Sequence, residues 1–521
     1  MKTITKSKAS KKHVIFLGLY LCSLVFWAQS APEISWQNAL GGSGTDIGRS
    51  IKHTLDGGYI IVGRSDSNDG DVTGNHGNAD FWIVKLNAAG DLQWQKTLGG
   101  SSSEVARSVE ITADGGYIVA GESFSNDGDV TGNHGSRDIW ITKLNSSGDI
   151  QWQKSLGGSN GDWATSIKNT PDGGYIVAGG TNSNDGDVSG NHGSWDFWLV
   201  KLSVIGELQW QKTLGGSDMD TARSIKTTSD GGYIVAGRTE SNDGDVSGVH
   251  GLTDFWVVKL NPNGNIQWQK ALGGSNEDFL GSIQTTPDGG YVIAGSTDST
   301  DGDITQNQGM SDFWVVKLGA AGDLQWQKTL GGSSWEGARS IELTTDGGFI
   351  VVGNTNSMDG DVTNNNGSAD YWVVKLNAIG EIQWQKSYGG SDYEEAYSIY
   401  ITLDGGLILA GETRSNDGDV TGHNGLSDYW VVKLDSDKLG IPDSLNQTPL
   451  VYPNPATEIL KISSPEGSGK VSVYNIDGKF LKSQKIFDSV TQIDMSVFPT
   501  GVYLLTIESF DSLETVKVIK M

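Results

Sequence analysis

Asp80-Phe-Trp-Ile-Val-Lys-Leu86 is separated by five residues from Leu92-Gln-Trp-Gln-Lys-Thr-Leu98, and close copies of both segments recur along most of the chain. The first segment is a continuous run of mainly apolar residues, typical of a strand buried on both faces. The second alternates apolar and polar residues, typical of a strand with one exposed face. Each segment contains one tryptophan, which recurs at a step of 58 residues with no insertion or deletion. The two seven-membered series are Trp36, Trp94, Trp152, Trp210, Trp268, Trp326 and Trp384, and Trp82, Trp140, Trp198, Trp256, Trp314, Trp372 and Trp430.

Two further segments complete the repeated unit. Ala106-Arg-Ser-Val-Glu-Ile111 and Tyr117-Ile-Val-Ala-Gly121 have the character of strands. Asp114-Gly-Gly116 between them predicts a tight hairpin, because Asp-Gly tolerates the positive φ that such turns need. A long polar loop over residues 125–135 then leads to the next copy of the first segment. Since nothing in the unit has helical periodicity, we predict four strands.

Seven such units favour a seven-bladed β-propeller. The alternative is an open β-solenoid, and the ends of the array distinguish the two. The array begins with the second strand of a unit, at residues 34–40, and finishes with the first strand, at residues 428–434, so joining the ends completes a seventh blade. A solenoid would instead be expected to carry polar caps. We therefore predict an all-β, monomeric ring over residues 31–434, closed by its N-terminal and C-terminal strands.

The order of the strands determines which loops share a face of this ring. The short turns lie on one face, and the long aspartate-rich loops lie on the other, beside the variable segments that precede the third strand. Internal copies differ most where the fold constrains least, and a binding specificity can be encoded there. We predict that this face binds a glycan or a protein; the alternative is that its aromatic residues pack between neighbouring loops. The candidate ligand-binding residues are Trp163, Trp195, Met219, Phe279, Trp335 and Tyr393.

Every long loop contains Asp-Gly-Asp. Calcium prefers several carboxylate and carbonyl oxygens from a tight glycine-containing turn, so the loops raise a calcium hypothesis. Their spacing is one residue short of the usual calcium loop, and no bidentate Glu follows. The alternative is that each aspartate accepts hydrogen bonds from backbone N–H groups in a turn. The candidate calcium ligands are Asp69, Asp71, Asp127, Asp129, Asp185, Asp187, Asp243, Asp245, Asp301, Asp303, Asp359, Asp361, Asp417 and Asp419.

The composition restricts the classes of partner. The chain has 521 residues, 63 acidic against 37 basic side chains, and a formal charge of -26. Such a balance argues against nucleic acid and anionic membranes as partners, because both need a basic footprint. It favours cations or basic partners. Aromatic residues make up 9% of the chain, so the acidity does not indicate disorder.

The first 30 residues have the pattern of a secretory signal peptide. A lysine-rich start precedes a 15-residue apolar stretch over residues 14–28, which is too short to span a bilayer comfortably. The small residues Ala28 and Ser30 then predict cleavage before Ala31. The only cysteine, Cys22, lies in the segment that is removed. We therefore expect a mature chain with no disulfide and no transmembrane segment.

A different kind of sequence begins after Leu434. Residues 435–448 are polar and predict a linker. Alternating segments bounded by Gly and Pro over residues 449–521 predict a small β-sandwich. The strings Val451-Tyr-Pro453-Asn454-Pro455, Asp477-Gly478-Lys479 and Phe498-Pro-Thr-Gly501-Val-Tyr503 occur here. Together with the basic C-terminus, they resemble the type A C-terminal sorting domain of the type IX secretion system. The residues that carry this resemblance as a sorting signal are Pro453, Asn454, Pro455, Gly478, Gly501, Tyr503 and Lys520.

The resemblance implies a route of export. It implies passage to the periplasm, handling by the type IX secretion machinery, and a mature protein that is released or attached to the outer-membrane surface. The repeats likewise resemble those of secreted β-propeller proteins of Bacteroidetes, which implies a fold and not an activity.

The sequence favours a binding or adhesion role over catalysis. Catalysis needs an asymmetric constellation of groups. The seven near-identical units contain no insertion, no H-E-x-x-H or G-x-S-x-G motif and no phosphate-binding glycine loop. No catalytic residue is predicted. The alternative is a polysaccharide-active hydrolase or lyase, since propellers can hold active sites in the central channel.

Overall fold

The computed structural model describes residues 30–436, 450–452, 456–463, 469–476, 479–486, 490–508 and 513–520. The chain divides into two compact units, Met1–Lys438 and Leu439–Met521. Every regular element of the described residues is a β-strand. No helix among them has the length and apolar character needed to cross a bilayer. The predicted signal peptide, but for Ser30, and most of the predicted linker lie outside the described residues.

The described residues of the first unit form 28 strands in four classes, named inner, second, third and outer by their place in the sheets. The inner strands are β2 (Asp46–His53), β6 (Glu104–Ile111), β10 (Asp162–Asn169), β14 (Asp220–Thr227), β18 (Asp278–Thr285), β22 (Glu336–Leu343) and β26 (Glu394–Ile401). The second strands are β3 (Tyr59–Ser65), β7 (Tyr117–Ser123), β11 (Tyr175–Thr181), β15 (Tyr233–Thr239), β19 (Tyr291–Thr297), β23 (Phe349–Thr355) and β27 (Leu407–Thr413). The third strands are β4 (Asp80–Leu86), β8 (Asp138–Leu144), β12 (Asp196–Leu202), β16 (Asp254–Leu260), β20 (Asp312–Leu318), β24 (Asp370–Leu376) and β28 (Asp428–Leu434). The outer strands are β1 (Ile34–Leu40), β5 (Leu92–Leu98), β9 (Ile150–Leu156), β13 (Leu208–Leu214), β17 (Ile266–Leu272), β21 (Leu324–Leu330) and β25 (Ile382–Tyr388).

These strands form seven four-stranded antiparallel sheets, each ordered inner, second, third, outer. Six sheets take four consecutive strands from the chain. The seventh combines β26, β27 and β28 with β1, and Leu40 of β1 is the Cα partner of Tyr429 of β28. The first and last strands of the unit therefore share one sheet.

Neighbouring sheets are joined in the same way throughout the unit. Each inner strand contacts the inner strands before and after it, and β26 contacts β2. One parallel bridge links each sheet to the next, as between Ala79 and Ser103, and Thr45 forms the equivalent bridge with Ser427. Repeated four-stranded sheets arranged in this way are those of a β-propeller.

Large side chains packed between neighbouring sheets explain why the tryptophans recur at a constant spacing along the chain. Every residue of every third strand is buried. The Phe81 ring packs on Trp140 of the next sheet with 4.6 Å between ring centroids, and Tyr429 packs on Trp82 at 4.3 Å. The indole Nε1 of Trp82 donates a hydrogen bond to Gln95 Oε1 at 3.0 Å. Because each core cluster needs side chains from two sheets, a single sheet cannot bury its apolar faces.

The second unit contains two small antiparallel sheets. Its strands are β29 (Leu450–Tyr452), β30 (Ile459–Ser463), β31 (Gly469–Asn475), β32 (Phe480–Ile486), β33 (Val490–Asp494), β34 (Gly501–Glu508) and β35 (Leu513–Lys520). One sheet has the order β29-β30-β33 and the other β32-β31-β34-β35. A single hydrophobic cluster contains side chains of both sheets, among them Leu460, Val473 and Leu505. The two sheets therefore share one core.

Candidate binding site

A β-bulge recurs in the middle of every inner strand. The pairing with the second strand shifts across the fourth residue, which therefore has no partner in the ladder. A bulge re-aims the side chain of the unpaired residue. All seven bulged residues line the space between the inner strands, and they are Arg49, Arg107, Thr165, Arg223, Gly281, Arg339 and Tyr397.

One glycine of each second strand makes room for the bulge. A Cβ atom on Gly121 would lie 1.9 Å from the carbonyl oxygen of Val105, and one on Gly179 would lie 1.8 Å from that of Trp163. No side chain fits at such distances, so any substitution would push the two backbones apart. The glycine that recurs in the second strand is therefore required by the close approach of its neighbour.

The space between the inner strands contains a cavity of about 370 Å³, the central cavity, at the end next to the long loops. Its apolar surface comes from residues such as Trp163 and Phe279, and Thr165 and Thr221 also line it. The charged residues that line it are five arginines and one glutamate, namely Arg107, Arg137, Arg223, Arg238, Arg339 and Glu122. A second cavity of about 120 Å³ continues between the inner strands and is lined by Lys52, Lys168 and Lys226, among others.

Two arginines of the central cavity are paired with carboxylates. Arg107 Nη2 donates a hydrogen bond to Glu122 Oε1 at 2.8 Å, and Arg339 Nε donates one to Glu395 Oε1 at 2.5 Å. Arg137 and Arg238 instead lie over aromatic rings: the Arg137 guanidinium is 4.3 Å from the centroid of Trp163. Four of the five arginines that line the central cavity therefore have a partner, which is a carboxylate for two of them and an aromatic ring for the other two.

Arg223 is the exception. Within the described part of the chain, no carboxylate, carbonyl or ring contacts its guanidinium. Burial, together with the neighbouring Arg339, Arg107 and Arg49, lowers the pKa of Arg223 to about 9. Lys226, three residues further along β14, also has no ion pair there, and burial and Lys168 lower its pKa to about 7. The inner strand β14 thus presents two cations that form no ion pair within the described residues, although Glu395 lies near Arg223 and Glu342 and Glu110 lie near Lys226.

The structure brings the predicted ligand-binding residues together around the entrance to the central cavity. Trp163 and Phe279 line the cavity itself, and Trp195 packs on Trp163 with 4.3 Å between ring centroids. Trp335 is 50% exposed and, with Tyr393 and Phe279, lines an adjoining cavity of about 240 Å³. That these residues contact a ligand stays a prediction.

Two further contacts show how these side chains are held. The sulfur of Met219 lies 3.2 Å from Arg238 Nη2, and the Tyr393 hydroxyl donates a hydrogen bond to Glu395 Oε2 at 2.7 Å. Several of the predicted residues therefore position the arginines and carboxylates of the cavity.

The arginines of the cavity were missed by the sequence reasoning. A signal for them exists, because the whole chain contains only eight arginines. Five of the eight line the central cavity, and Arg49 lines the cavity beyond it. The recurring Ala-Arg-Ser string had strand character, but alternation alone did not show that its arginine points to the centre of the unit.

Both aspartates of each Asp-Gly-Asp string accept backbone hydrogen bonds from the loop before the inner strand. Asp127 Oδ1 accepts one from Ser101 N at 2.7 Å, and Asp129 Oδ2 accepts one from Gly99 N at 3.2 Å. The same pair of contacts recurs in every repeat. Among the described residues, no group of three or more His, Cys, Asp or Glu side chains is placed to hold a metal ion. The contacts fit the backbone alternative, while calcium binding stays a prediction.

A pair of buried carboxylates lies between neighbouring sheets, formed by the first residue of a third strand and the first residue of the next inner strand. Asp370 and Glu394 form one such pair. Burial, together with Glu394 and Asp419, raises the pKa of Asp370 to about 7, against the opposing hydrogen bond from Asn366 N. Burial likewise raises the pKa of Asp428 to about 7. These carboxyl groups therefore hold protons at pH values where exposed aspartates are ionised.

The chain is similar to two curated proteins. It is 23% identical over 419 residues to "Regulatory protein FlaEY" of Caulobacter vibrioides, a match that covers 72% of this chain and 43% of that protein. It is 21% identical over 275 residues to an uncharacterized WD repeat-containing protein of Acanthamoeba polyphaga mimivirus, covering 41% of this chain and 19% of that protein. The chain thus spans less than half the length of these relatives.

Solved structures with a related architecture include the Neurospora crassa Pan2 WD40 domain, which is 12% identical with a TM-score of 0.43 over 77% of this chain and 96% of that chain. Another is PorZ of Porphyromonas gingivalis, described as an essential bacterial surface component of the type-IX secretion system. PorZ is 12% identical, with a TM-score of 0.28 over 92% of this chain and 53% of that chain. Neither similarity concerns a ligand.

Residues 450–521 match the protein family described as "Secretion system C-terminal sorting domain". The C-terminal unit is a type IX sorting domain. The resemblance found in the sequence is confirmed. A chain with this domain is secreted or attached to the cell surface, as the sequence predicted.

The sorting domain positions only some of the predicted signal residues within the described chain. Gly501 and Tyr503 lie in β34, and Lys520 ends β35. The Tyr503 hydroxyl donates a hydrogen bond to the carbonyl oxygen of Pro499 at 2.6 Å. The remaining signal residues lie outside the described residues, and they are Pro453, Asn454, Pro455 and Gly478.

Proposed function

We propose that this chain is a binding or adhesion protein of the cell surface or the medium. Its seven sheets close into one seven-bladed ring over residues 31–434, and its long-loop face binds a glycan or a protein. The signal peptide at residues 1–30 and the linker at residues 435–448 belong to the same proposal, as does a monomeric propeller. Export is by the type IX machinery through the sorting domain.

Ring closure is supported by the pairing of the first and last strands. Leu40 and Tyr429 are Cα partners, so the N-terminal strand occupies the outer position of the last sheet. The hydrophobic cluster that contains Leu40 and Trp82 also contains Tyr429, and it is built mostly from the strand positions that form the cluster between the first two sheets. A closed ring leaves no apolar face of a sheet uncovered, because every sheet then packs between two others.

The observation that carries the binding role is the central cavity at the long-loop face. Its volume of about 370 Å³ lies in the range of small-ligand sites. Apolar and charged groups converge there, and the half-exposed Trp335 lies beside it. An exposed tryptophan next to a cavity provides a large contact area at low conformational cost.

Binding of the full chain to a glycan array tests this proposal. We expect one glycan class to bind, and Trp335→Ala and Trp163→Ala to weaken it at least about tenfold, since losing an aromatic hot spot costs 2 kcal/mol or more. Leu403→Ala is the control, because Leu403 is 89% exposed in a short turn on the opposite face. Equal binding by all three variants would contradict the assigned face. Turnover of a polysaccharide would replace binding by the hydrolase or lyase alternative.

A further inference from the structure

The arginines of this acidic chain are concentrated in one place. The chain has a formal charge of -26, and only eight of its 37 basic residues are arginines. Five of those eight line the central cavity, and Glu122 is the only carboxylate among the described residues that line it. A positive cavity inside a negative molecule attracts anions to one point.

Arg223 gives this cavity an unsatisfied charge. It is the bulged residue of β14 and lines the same cavity as Arg107 and Arg339, each of which is paired with its own glutamate. Arg223 has no such partner in the described residues. A guanidinium held among other cations disfavours its charged form, and an anion bound beside it would remove that penalty. The site is therefore built in a way that an anionic ligand completes.

We propose that the central cavity binds the carboxylate of a sugar acid at the end of a glycan, with Arg223 as its principal partner. This inference rests on the proposed glycan-binding function and names its ligand class. The planar guanidinium matches the two oxygens of a carboxylate in a bidentate arrangement.

The remaining lining fits a sugar. Thr165 donates its hydroxyl proton to backbone carbonyl oxygens, so it can accept from a sugar hydroxyl, whereas Thr221 accepts from Arg238 Nε and can donate to one. Phe279 and Leu280 provide an apolar wall for a sugar ring. The cavity lies between the inner strands, so a chain end enters more readily than the middle of a polymer.

The acidic loops on the same face disfavour a different class of ligand. The first aspartate of each Asp-Gly-Asp string is exposed on this face, and the seven are Asp69, Asp127, Asp185, Asp243, Asp301, Asp359 and Asp417. A densely charged polyanion that reached the cavity would pass close to these carboxylates, and like charges brought together cost several kcal/mol. A ligand with a single carboxylate at its tip avoids this repulsion.

Calorimetric titration of the full chain tests the inference with matched probes. The probes are a galactose oligosaccharide whose non-reducing end is a single galacturonic acid, the neutral galactose oligosaccharide of the same length and linkage, and sodium sulfate. We expect the acid to bind at least about tenfold more tightly than the neutral sugar, and sulfate to bind far more weakly. A hydrogen bond to a charged group contributes about 1.5–3 kcal/mol, so Arg223→Gln is expected to weaken acid binding about 10- to 100-fold.

Two controls separate this effect from damage to the fold. Lys154→Gln removes an exposed cation of the outer strand β9, which is not among the cavity-lining residues, and it should leave acid binding unchanged. Arg223→Gln should keep or raise the melting temperature of the free protein, because it removes a cation from among cations.

The other outcomes are each decisive. Equal binding of acid and neutral sugars, or an unchanged affinity in Arg223→Gln, would overturn the sugar-acid assignment and leave glycan binding standing. Equal binding of sulfate and sugar acid would overturn it too, because the cavity would then take any small anion. No binding of any glycan would overturn both the inference and the proposed function.

Discussion

The buried lysine of each third strand ties a hairpin to its sheet. Lys201 is 4% exposed, and its Nζ donates hydrogen bonds to Asp172 Oδ2 at 2.8 Å and to the carbonyl oxygen of Leu202 at 3.0 Å. Although burial opposes it, hydrogen bonds from Lys201 and Thr170 lower the pKa of Asp172 to about 2. This residue explains why the apolar strand string of the repeat always contains a lysine.

Replacing this lysine should destabilise the propeller. Lys201→Met removes the side-chain donor to the carbonyl oxygen of the buried Leu202, and an unsatisfied buried polar group costs about 1–3 kcal/mol. Urea unfolding of the full chain measures the loss. Lys96→Met is the control, because Lys96 forms an exposed pair with Asp149 and should cost less than about 1 kcal/mol. Equal losses in the two variants would contradict the structural role of the buried lysine.

Among the elements, the inner strand carries the feature that matters most for function. Its bulge depends on the glycine of the neighbouring second strand. Gly121→Ala would place a Cβ atom 1.9 Å from the backbone oxygen of Val105, so we expect a loss of about 1–3 kcal/mol or more and a displaced Arg107. Thermal unfolding and acid-sugar binding measure the two effects.

Gly337 offers a matched control for that substitution. A Cβ atom on Gly337 would meet only the side-chain oxygen of Asn354 at 3.0 Å, and other repeats carry larger residues at this position. Gly337→Ala should therefore be nearly neutral. If Gly121→Ala were equally neutral, the bulge would not need its glycine.

The long loops allow a test of the calcium hypothesis. Because their aspartates accept backbone hydrogen bonds at 2.7 Å in every repeat, we expect the loops to hold their shape without a metal. The melting temperature of the full chain should then be the same in millimolar calcium and in a chelator. A higher melting temperature in calcium would show that the cation binds the folded state.

Some structural elements of this protein can be predicted from its sequence pattern and others cannot. Strand and hairpin positions were predictable because two tryptophans per repeat fixed the period and Asp-Gly-Gly marked the turns. The central cavity was not predictable from the sequence. A bulge cannot be seen in an alternating pattern of residues, yet it changes the direction in which the Arg223 side chain points. The aromatic residues at its entrance were predictable since they stood out among otherwise identical loops.

At the scale of the whole molecule, buried carboxyl groups between sheets make stability depend on pH. The pKa of Asp278, Asp370 and Asp428 is raised from 3.8 to about 7, mainly by burial. The folded state keeps these protons between about pH 4 and pH 7 while the unfolded state loses them, so the free energy of unfolding falls as the pH rises through this range. The stabilising contribution is complete below about pH 4 and lost above about pH 7.

Melting temperatures measured from pH 4 to pH 8 test this dependence. We expect a fall of at least roughly 2–4 °C, the effect of 1 kcal/mol in a domain of 150–250 residues. Below about pH 4 the free energy of unfolding instead falls as the pH falls. The reason is that Asp114 and Asp230, whose pKa is lowered to about 2, become protonated. Asp370→Asn should make the curve flatter. A melting temperature that rises towards pH 8 would contradict the buried pairs.

Closure of the ring is the central claim, since it brings the seven inner strands around one cavity. A disulfide between β1 and β28 tests it most directly, in a chain with Cys22 replaced by serine. Asn38 and Val431 are Cα partners, and directly opposed residues of antiparallel strands lie within the range for a disulfide. Ala410→Cys with Val431→Cys, within one continuous hairpin, is the positive control. We predict that Asn38→Cys with Val431→Cys oxidises as completely as the control; free thiols in that variant, with the control oxidised, would show that the ring is open.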